Sequence, residues 1–321
     1  MRYVVTGGAG FIGSNTVEEL VRRGESVVVL DDLSTGKEEN LAEVRNKISF
    51  IKGSITDLET VRKAMHEADY VLHLAARASV PRSVKDPLEN NKVNVEGTLN
   101  VLVAARDAKV KRVVFATSCS VYGENPSLPK VETMQHEPIS PYAVSKCAGE
   151  LYARTFGRVY GLENVCLRYF NIFGPRQDAS SPYSGVLAKF CASFLEGTPP
   201  VVFGDGEQSR DFVYVDNAVA ANLLACEAPR ISGKIFNIGT GQRVTLNQTL
   251  THLAKLSGTK LEARYEPARD GDIRDSQADI SQARELLKYE PAVSFEEGLG
   301  KTLDWYREMQ AKALAKEKSE A

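Results

Sequence analysis

Short, largely apolar runs alternate with longer helical patterns through the first half of the chain. Tyr3 to Val5, Val27 to Leu30, Ile48 to Ile51, Tyr70 to Leu72, Arg112 to Ala116 and Val165 to Leu167 are rich in β-branched residues and predict strands. Runs apolar at successive positions suit strands covered on both faces, which points to a parallel sheet between two helical layers. Between them Ile12, Thr16, Val17, Leu20 and Val21 recur at helical spacing, as do Val95, Leu99, Leu102 and Val103, so amphipathic helices make the connections. The pattern predicts a doubly wound α/β fold.

After Asn171 the pattern breaks. Gly174-Pro175, Pro182, Pro199-Pro200 and Gly204-Asp205-Gly206 punctuate shorter elements, and a smaller lobe is expected to start there. Lys234 to Ile238 reads as one more strand returning to the main sheet. The lobes therefore interleave in this reading: residues 1–170 with 213–238 form one, and 171–212 with 239–321 the other. Ala311 to Ala321, with Leu314 as its one large apolar residue, reads as a frayed helix end or an unstructured tail.

Composition narrows the classes of function. The 40 Lys and Arg against 42 Asp and Glu leave a net charge of −2, so no long-range field holds a polyanion or an anionic membrane. No local basic patch points to nucleic acid. No apolar run nears the roughly 18 residues of a membrane span. Strand-like Tyr3-Val4-Val5 directly follows Met1-Arg2 without space for a secretory signal, so a cytoplasmic location is expected. The five cysteines are widely spaced without a C-x-x-C pair and read as buried free thiols; the four histidines lack ligand spacing, and no metal is expected.

The first predicted strand runs into Gly7-Gly8-Ala9-Gly10-Phe11-Ile12-Gly13, a G-x-x-G-x-x-G loop that opens a helix. A dinucleotide pyrophosphate needs glycines here for the tight turn, for close backbone approach and for helix packing, with the helix N-terminus facing its charge. Asp31 stands eighteen residues beyond Gly13, at the end of the second strand, followed by Asp32. A carboxylate there accepts from a ribose diol and repels a 2′-phosphate, which favours NAD over NADP.

Downstream stand Thr117-Ser118-Cys119-Ser120-Val121-Tyr122-Gly123 and Tyr142-Ala143-Val144-Ser145-Lys146. Y-x-x-x-K puts both side chains on one helix face, one turn apart. A lysine ammonium near a phenol favours the phenolate and lowers its pKa toward working pH, and a bound nicotinamide cation acts the same way. Tyr142 then serves as general base on a hydroxyl whose oxygen Ser118 also holds.

With these motifs the chain resembles the extended short-chain dehydrogenases/reductases over residues 1–305, whose nucleotide domain is a Rossmann sheet. Asn171-Ile-Phe-Gly-Pro175, Arg210-Asp-Phe-Val-Tyr-Val-Asp216 and Arg269-Asp-Gly-Asp272 are similar to nucleotide-sugar epimerases, above all the UDP-glucose and UDP-N-acetylglucosamine 4-epimerases. The resemblance implies that Gly7, Gly10, Phe11, Ile12, Gly13, Asp31, Asp32, Ser54, Ile55, Leu74, Ala75, Ala76, Asn94, Tyr142 and Tyr169 bind NAD, and that Lys146 also holds the nicotinamide ribose. It implies that Ser79, Asn171, Val202, Phe203, Arg210, Arg269, Asp272 and Ser276 bind the UDP-sugar, alongside Ser118 and Tyr142. Two arginines suit a pyrophosphate, and Asp272 a ribose diol. One departure is Ser54, where the family commonly has an aspartate that touches adenine. His73 reads as packing at a strand end.

The resemblance also bears on the reaction. Similar dehydratases carry Thr-Asp-Glu before Val-Tyr-Gly, and similar sugar-acid decarboxylases a glutamate; Ser118-Cys119-Ser120 offers no carboxylate. Plain C4 epimerisation of a UDP-hexose through a 4-keto sugar is therefore expected. A UDP-glucuronate 4-epimerase is the alternative, though no basic partner for the sugar carboxylate is evident; a non-catalytic NAD-binding regulator is another. In similar epimerases the residue four past the ribose-binding aspartate lies beside the C2 substituent, and the small Ser276 implies room for an N-acetyl group. Relatives dimerise through a four-helix bundle that includes the Y-x-x-x-K helix. A homodimer is expected, with Val95, Leu99, Leu102, Val103 and Leu151 to Tyr160 offering apolar faces that either meet a second copy or pack on the chain's own sheet.

Overall fold

The computed structural model describes residues 1–179, 185–268 and 273–320. Every strand read from the sequence is present. The main sheet takes β1 (Arg2–Thr6), β2 (Ser26–Asp31), β3 (Ser49–Lys52), β4 (Tyr70–His73), β5 (Arg112–Ser118) and β6 (Asn164–Tyr169). Beyond them lie β7 (Asn171–Phe173), β8 (Val201–Phe203), β9 (Ser209–Arg210), β10 (Phe212–Tyr214), β11 (Lys234–Ile238), β12 (Val244–Thr245) and β13 (Arg264–Glu266). The helices are α1 (Phe11–Arg22), α2 (Leu58–Ala64), α3 (Val80–Lys85), α4 (Pro87–Asn91), α5 (Gly97–Asp107), α6 (Pro141–Tyr160), α7 (Val186–Glu196), α8 (Val215–Glu227), α9 (Leu246–Ser257) and α10 (Phe295–Glu320).

The seven strands lie in the order β11-β6-β5-β4-β1-β2-β3, all parallel. Successive residues of each strand enter opposite cores. Val5, Val29, Leu72, Val114 and Leu167 join one with Val17 and Leu20 of α1 and Val219 of α8. Val4, Val28, Val71, Val113 and Cys166 join the other with Val61 of α2, Val101 of α5 and Ala153 of α6. Each fully buried Val or Leu contributes about 1.5–3 kcal/mol, which is why these strands read as unbroken apolar runs. The strand order reverses between β1 and β4, and in such sheets ligands bind outside the carboxyl ends of the strands at that point.

The smaller lobe is built of short pairs: β7 with β10, β8 with β13, and β9 with β12. The chain returns through α8 to β11, which pairs with β6 from Lys234–Val165 to Ile238–Tyr169. β11 thus joins the main sheet after the segments that form β7 to β10. The final segment belongs to α10, so of the two readings of the tail the helical one holds.

Candidate active site

Five turns at the carboxyl edge of the sheet converge on one cavity of about 1260 Å³. After β1 comes the glycine loop. Gly7 sits at φ +70°, and a Cβ on it would lie 2.7 Å from the Ala75 amide nitrogen; on Gly13 a Cβ would lie 2.0 Å from the Gly7 carbonyl oxygen. Only glycine allows β1, β4 and α1 to meet this closely. Gly10, Phe11 and Ile12 open α1 toward the cavity, and Gly7, Gly13, Leu74, Ala75 and Ala76 complete this wall. Asp31 closes β2 over the loop: one oxygen accepts from the Ala9 N–H at 2.9 Å and the other from the Leu33 N–H at 2.8 Å. Burial raises its pKa while those two N–H groups act the other way. Asp32 also lines the cavity, its carboxylate accepting from the Ser34 N–H. A dinucleotide fits this set: a bare-backbone cradle at a helix N-terminus, with a carboxylate one strand away.

At the other end stand Ser118, Tyr142, Lys146 and Tyr169, brought together by β5, α6 and β6. Ser140 caps α6 through the Ala143 N–H and Pro141 opens it, so Tyr142 enters the cavity in the first turn. Ser83 Oγ accepts the Tyr142 N–H at 3.1 Å. The Ser118 hydroxyl reaches the phenol. Lys146 Nζ donates to the Ala116 carbonyl at 2.8 Å and lies 5.8 Å from the Tyr142 ring centre. The expected lowering of the phenol is not found in the protein alone. Burial pushes Tyr142 up to about 12, with the Ser118 bond opposing it, and brings the Lys146 amine down to about 8. Desolvation disfavours both charged forms, and it outweighs a lysine held by a carbonyl.

Other residues singled out from the sequence stand elsewhere. Asn94 is buried, its amide accepting the Arg77 N–H at 2.7 Å and donating to the Ser145 hydroxyl at 3.1 Å, so it braces the wall without lining the cavity. Gly53 and Ile55 line the cavity, whereas Ser54 bonds to Thr56, and Asp57 caps α2. His73 is fully buried between the Thr6 and Thr98 hydroxyls at 2.8 and 3.0 Å, and burial takes its pKa down to about 3, which leaves it neutral. Four cysteines are buried; Cys119 is half-buried beside Ser118.

Of the residues read as holding the sugar nucleotide, Asn171, Arg210 and Ser276 stand together around Ser209 and Asp211. Asn171 Nδ2 donates to Ser276 Oγ at 3.2 Å, and the Ser276 N–H to the Ser209 carbonyl at 3.1 Å. Arg210 Nη1 donates to the Ser209 and Arg274 carbonyls at 3.0 and 2.8 Å. Arg210 and Asp211 act on the Cys119 thiol, which sets this group against the end of β5. The Asp211 carboxylate accepts from the N–H groups of Thr240, Gly241 and Ala278 and anchors the loops around it. Val202 is buried in β8 and Phe203 half-buried, while Ser79 caps α3 through the Arg82 N–H. Arg269 and Asp272 lie outside the described residues.

Five further residues were not read from the sequence. Arg77 lines the cavity and bonds to Ser34 and, at 3.2 Å, to Glu89. Trp305, Tyr306 and Met309 of α10 form part of the wall. Glu150, one helical turn beyond Lys146, is fully buried behind it. Of these, Glu150 alone carried a signal, since its spacing continues the Y-x-x-x-K face. Among the described residues, no group of three metal-ligating side chains occurs and no helix is long and apolar enough to cross a membrane.

Comparison with known proteins fits this geometry. Residues 3–239 match the model of the NAD dependent epimerase/dehydratase family. A UDP-glucose 4-epimerase of Mycolicibacterium smegmatis is 42% identical, the match covering 96% of this chain and 99% of that protein. The crystal structure of a Thermotoga maritima UDP-glucose 4-epimerase with UDP-glucose superposes with a TM-score of 0.92 at 43% identity, covering 97% of this chain and 100% of that one. A UDP-N-acetylglucosamine 4-epimerase from Methanobrevibacter ruminantium, in complex with UDP-N-acetylmuramic acid, gives a TM-score of 0.92 at 41% identity, covering 96% and 98%. With a Rossmann sheet, a dinucleotide cradle and relatives matched nearly end to end, the chain belongs to the NAD dependent epimerase/dehydratase family, and NAD is its cofactor.

Proposed function

We propose that this protein inverts C4 of UDP-hexoses, interconverting UDP-GlcNAc with UDP-GalNAc and also UDP-Glc with UDP-Gal. The observation that carries the reading is the meeting of Ser118, Tyr142 and Lys146 in the wall of the dinucleotide cavity, with Arg210 and Asp211 set near Cys119 next to Ser118. Held by the glycine loop and Asp31, NAD would accept hydride from C4 and return it, and would bring a positive charge while oxidised. Tyr142 takes the C4 hydroxyl proton and later returns it. Ser118 holds the same oxygen, and the Lys146 ammonium favours the phenolate across the ring. Positions 119 and 120 are Cys and Ser, so this strand end provides no carboxylate for water elimination. Asn171, Arg210, Arg269 and Asp272 hold the UDP part in this reading, and Ser276 leaves room at C2.

The test is to offer UDP-Glc, UDP-Gal, UDP-GlcNAc, UDP-GalNAc and UDP-GlcA to one preparation and separate products by C4 configuration. Interconversion of both acetylated sugars is expected. Turnover of UDP-GlcA alone would replace the proposal with a glucuronate epimerase, and no change in any sugar or in cofactor absorbance would point to a regulator.

The same reading includes a homodimer. Leu102 is buried in the chain's own core, but Val144, Leu151 and Val159 of α6 are more than half exposed on the side away from the cavity, and Leu88 of α4 is 82% exposed. Exposed apolar stripes of this kind mark association surfaces. Light scattering at micromolar concentration should give about twice the 35.2 kDa chain mass; a monomer would refute it.

A further inference from the structure

Three consecutive residues of β5 each hold one of three successive rungs on α6. Ser118 reaches the Tyr142 phenol, the Ala116 carbonyl accepts from Lys146 Nζ at 2.8 Å, and Thr117 Oγ1 donates to Glu150 Oε1 at 2.8 Å. Glu150 is four residues beyond Lys146, as Lys146 is beyond Tyr142, so the three stand on one helix face. Glu150 is fully buried and gripped by Arg168, whose Nε and Nη2 donate to its two oxygens at 2.9 and 2.7 Å. His136 Nε2 lies 2.9 Å from the same carboxylate. A buried bidentate pair is costly to assemble and is weak evidence of added stability, so its position behind the active-site lysine asks for another reason.

We propose that Glu150 is a positioning residue for the reaction: its clamped carboxylate keeps the buried Lys146 ammonium charged, and through Lys146 it sustains the proton-accepting form of Tyr142. The proposal rests on the epimerase reading for its assay. The titratable groups around Lys146 are Tyr142 and Glu150 on α6, His73 at the end of β4 and Cys166 on β6, while β5 presents Phe115 and Ala116. His73 is neutral, and burial pushes the Cys166 thiol up, so neither supplies a negative charge near neutral pH. Glu150 does, because Arg168, His136 and Thr117 take its pKa down to about 2 against the effect of burial. Arg168 holds both oxygens of the Glu150 carboxylate. The sign follows. Lys146 must be charged; burial lowers its pKa and Glu150 raises it, to about 8 in balance. Removing the carboxylate moves loss of the ammonium to lower pH, and the Tyr142 proton then leaves only at higher pH, so the active window narrows from both sides.

The experiment compares kcat against pH for the wild type and Glu150→Gln, each purified with NAD, alongside cofactor content and Tm. The alkaline limb should move down by about one pH unit, so that activity on that limb drops about tenfold, with cofactor content retained. Glu150→Gln leaves Arg168 unpaired; if it does not fold, Glu150→Gln/Arg168→Gln removes both charges and is read in the same way. Superimposable pH profiles with a lower Tm would overturn the proposal and leave Glu150 with a purely structural role. A preparation of wild type inactive on every UDP-sugar would instead overturn the epimerase reading, and titration of Tyr142, taken as the phenolate absorbance lost in Tyr142→Phe, then decides the proposal. A titration unmoved by Glu150→Gln overturns it, and a shift to higher pH supports it.

Discussion

Tyr142→Phe is expected to keep the fold and the bound NAD but to lower epimerisation by about 10²–10⁴-fold, the range for a positioned acid–base group. The ring remains to fill its place between Ser118 and the Lys146 side of the cavity, so packing changes little. Only the oxygen that the proposed reaction uses to exchange a proton with the C4 hydroxyl is lost. Turnover of each UDP-sugar, measured with cofactor content on the same sample, checks it; near-wild-type rates would remove Tyr142 from the mechanism. Burial raises this phenol and the Ser118 hydroxyl opposes it, so in the proposed reaction the phenolate calls for positive charge nearby.

Ser276→Tyr is expected to act selectively. Ser276 is buried, with its hydroxyl accepting from Asn171 and its N–H tied to Ser209, so its position is fixed and in the proposed site a larger side chain takes up space beside C2. Steric exclusion separates substrates more readily than added attraction does. Turnover of UDP-GlcNAc and UDP-GalNAc should fall at least about tenfold to a hundredfold, while UDP-Glc and UDP-Gal are spared. Equal loss for both classes would mean general damage to the site, and unchanged acetylated turnover would mean that another residue gates C2.

What could be read in advance follows from what leaves a mark in sequence. The strands were legible because two cores claim alternate residues, so Val4 and Val5 are both apolar, as are Val28 and Val29. The glycine loop was legible because steric limits at Gly7 and Gly13 admit no side chain. The direction of the Tyr142 shift was not: the lysine is visible in the sequence, the depth of burial is not. Asn94 bears on the site through Arg77 and Ser145, partners seventeen residues back and fifty-one ahead that no local pattern links. Trp305, Tyr306 and Met309 read as ordinary positions of a long helix, since a helical period says which residues share a face but not which wall that face completes. Glu150 continues the Y-x-x-x-K spacing, but its burial and its partners Thr117, His136 and Arg168 come from distant segments that no local pattern links.

The pairing of β11 with β6 sets an order on synthesis. β6 ends at Tyr169, but the strand that covers its free edge arrives only with Lys234–Ile238, after the small-lobe segments that begin at β7 have been made. During translation the nascent sheet therefore carries an open, apolar border for as long as the ribosome needs to traverse the intervening residues, and bare borders of this kind recruit other chains. The path of the chain thus also defers completion of the main sheet until β7 to β10 and α8 exist.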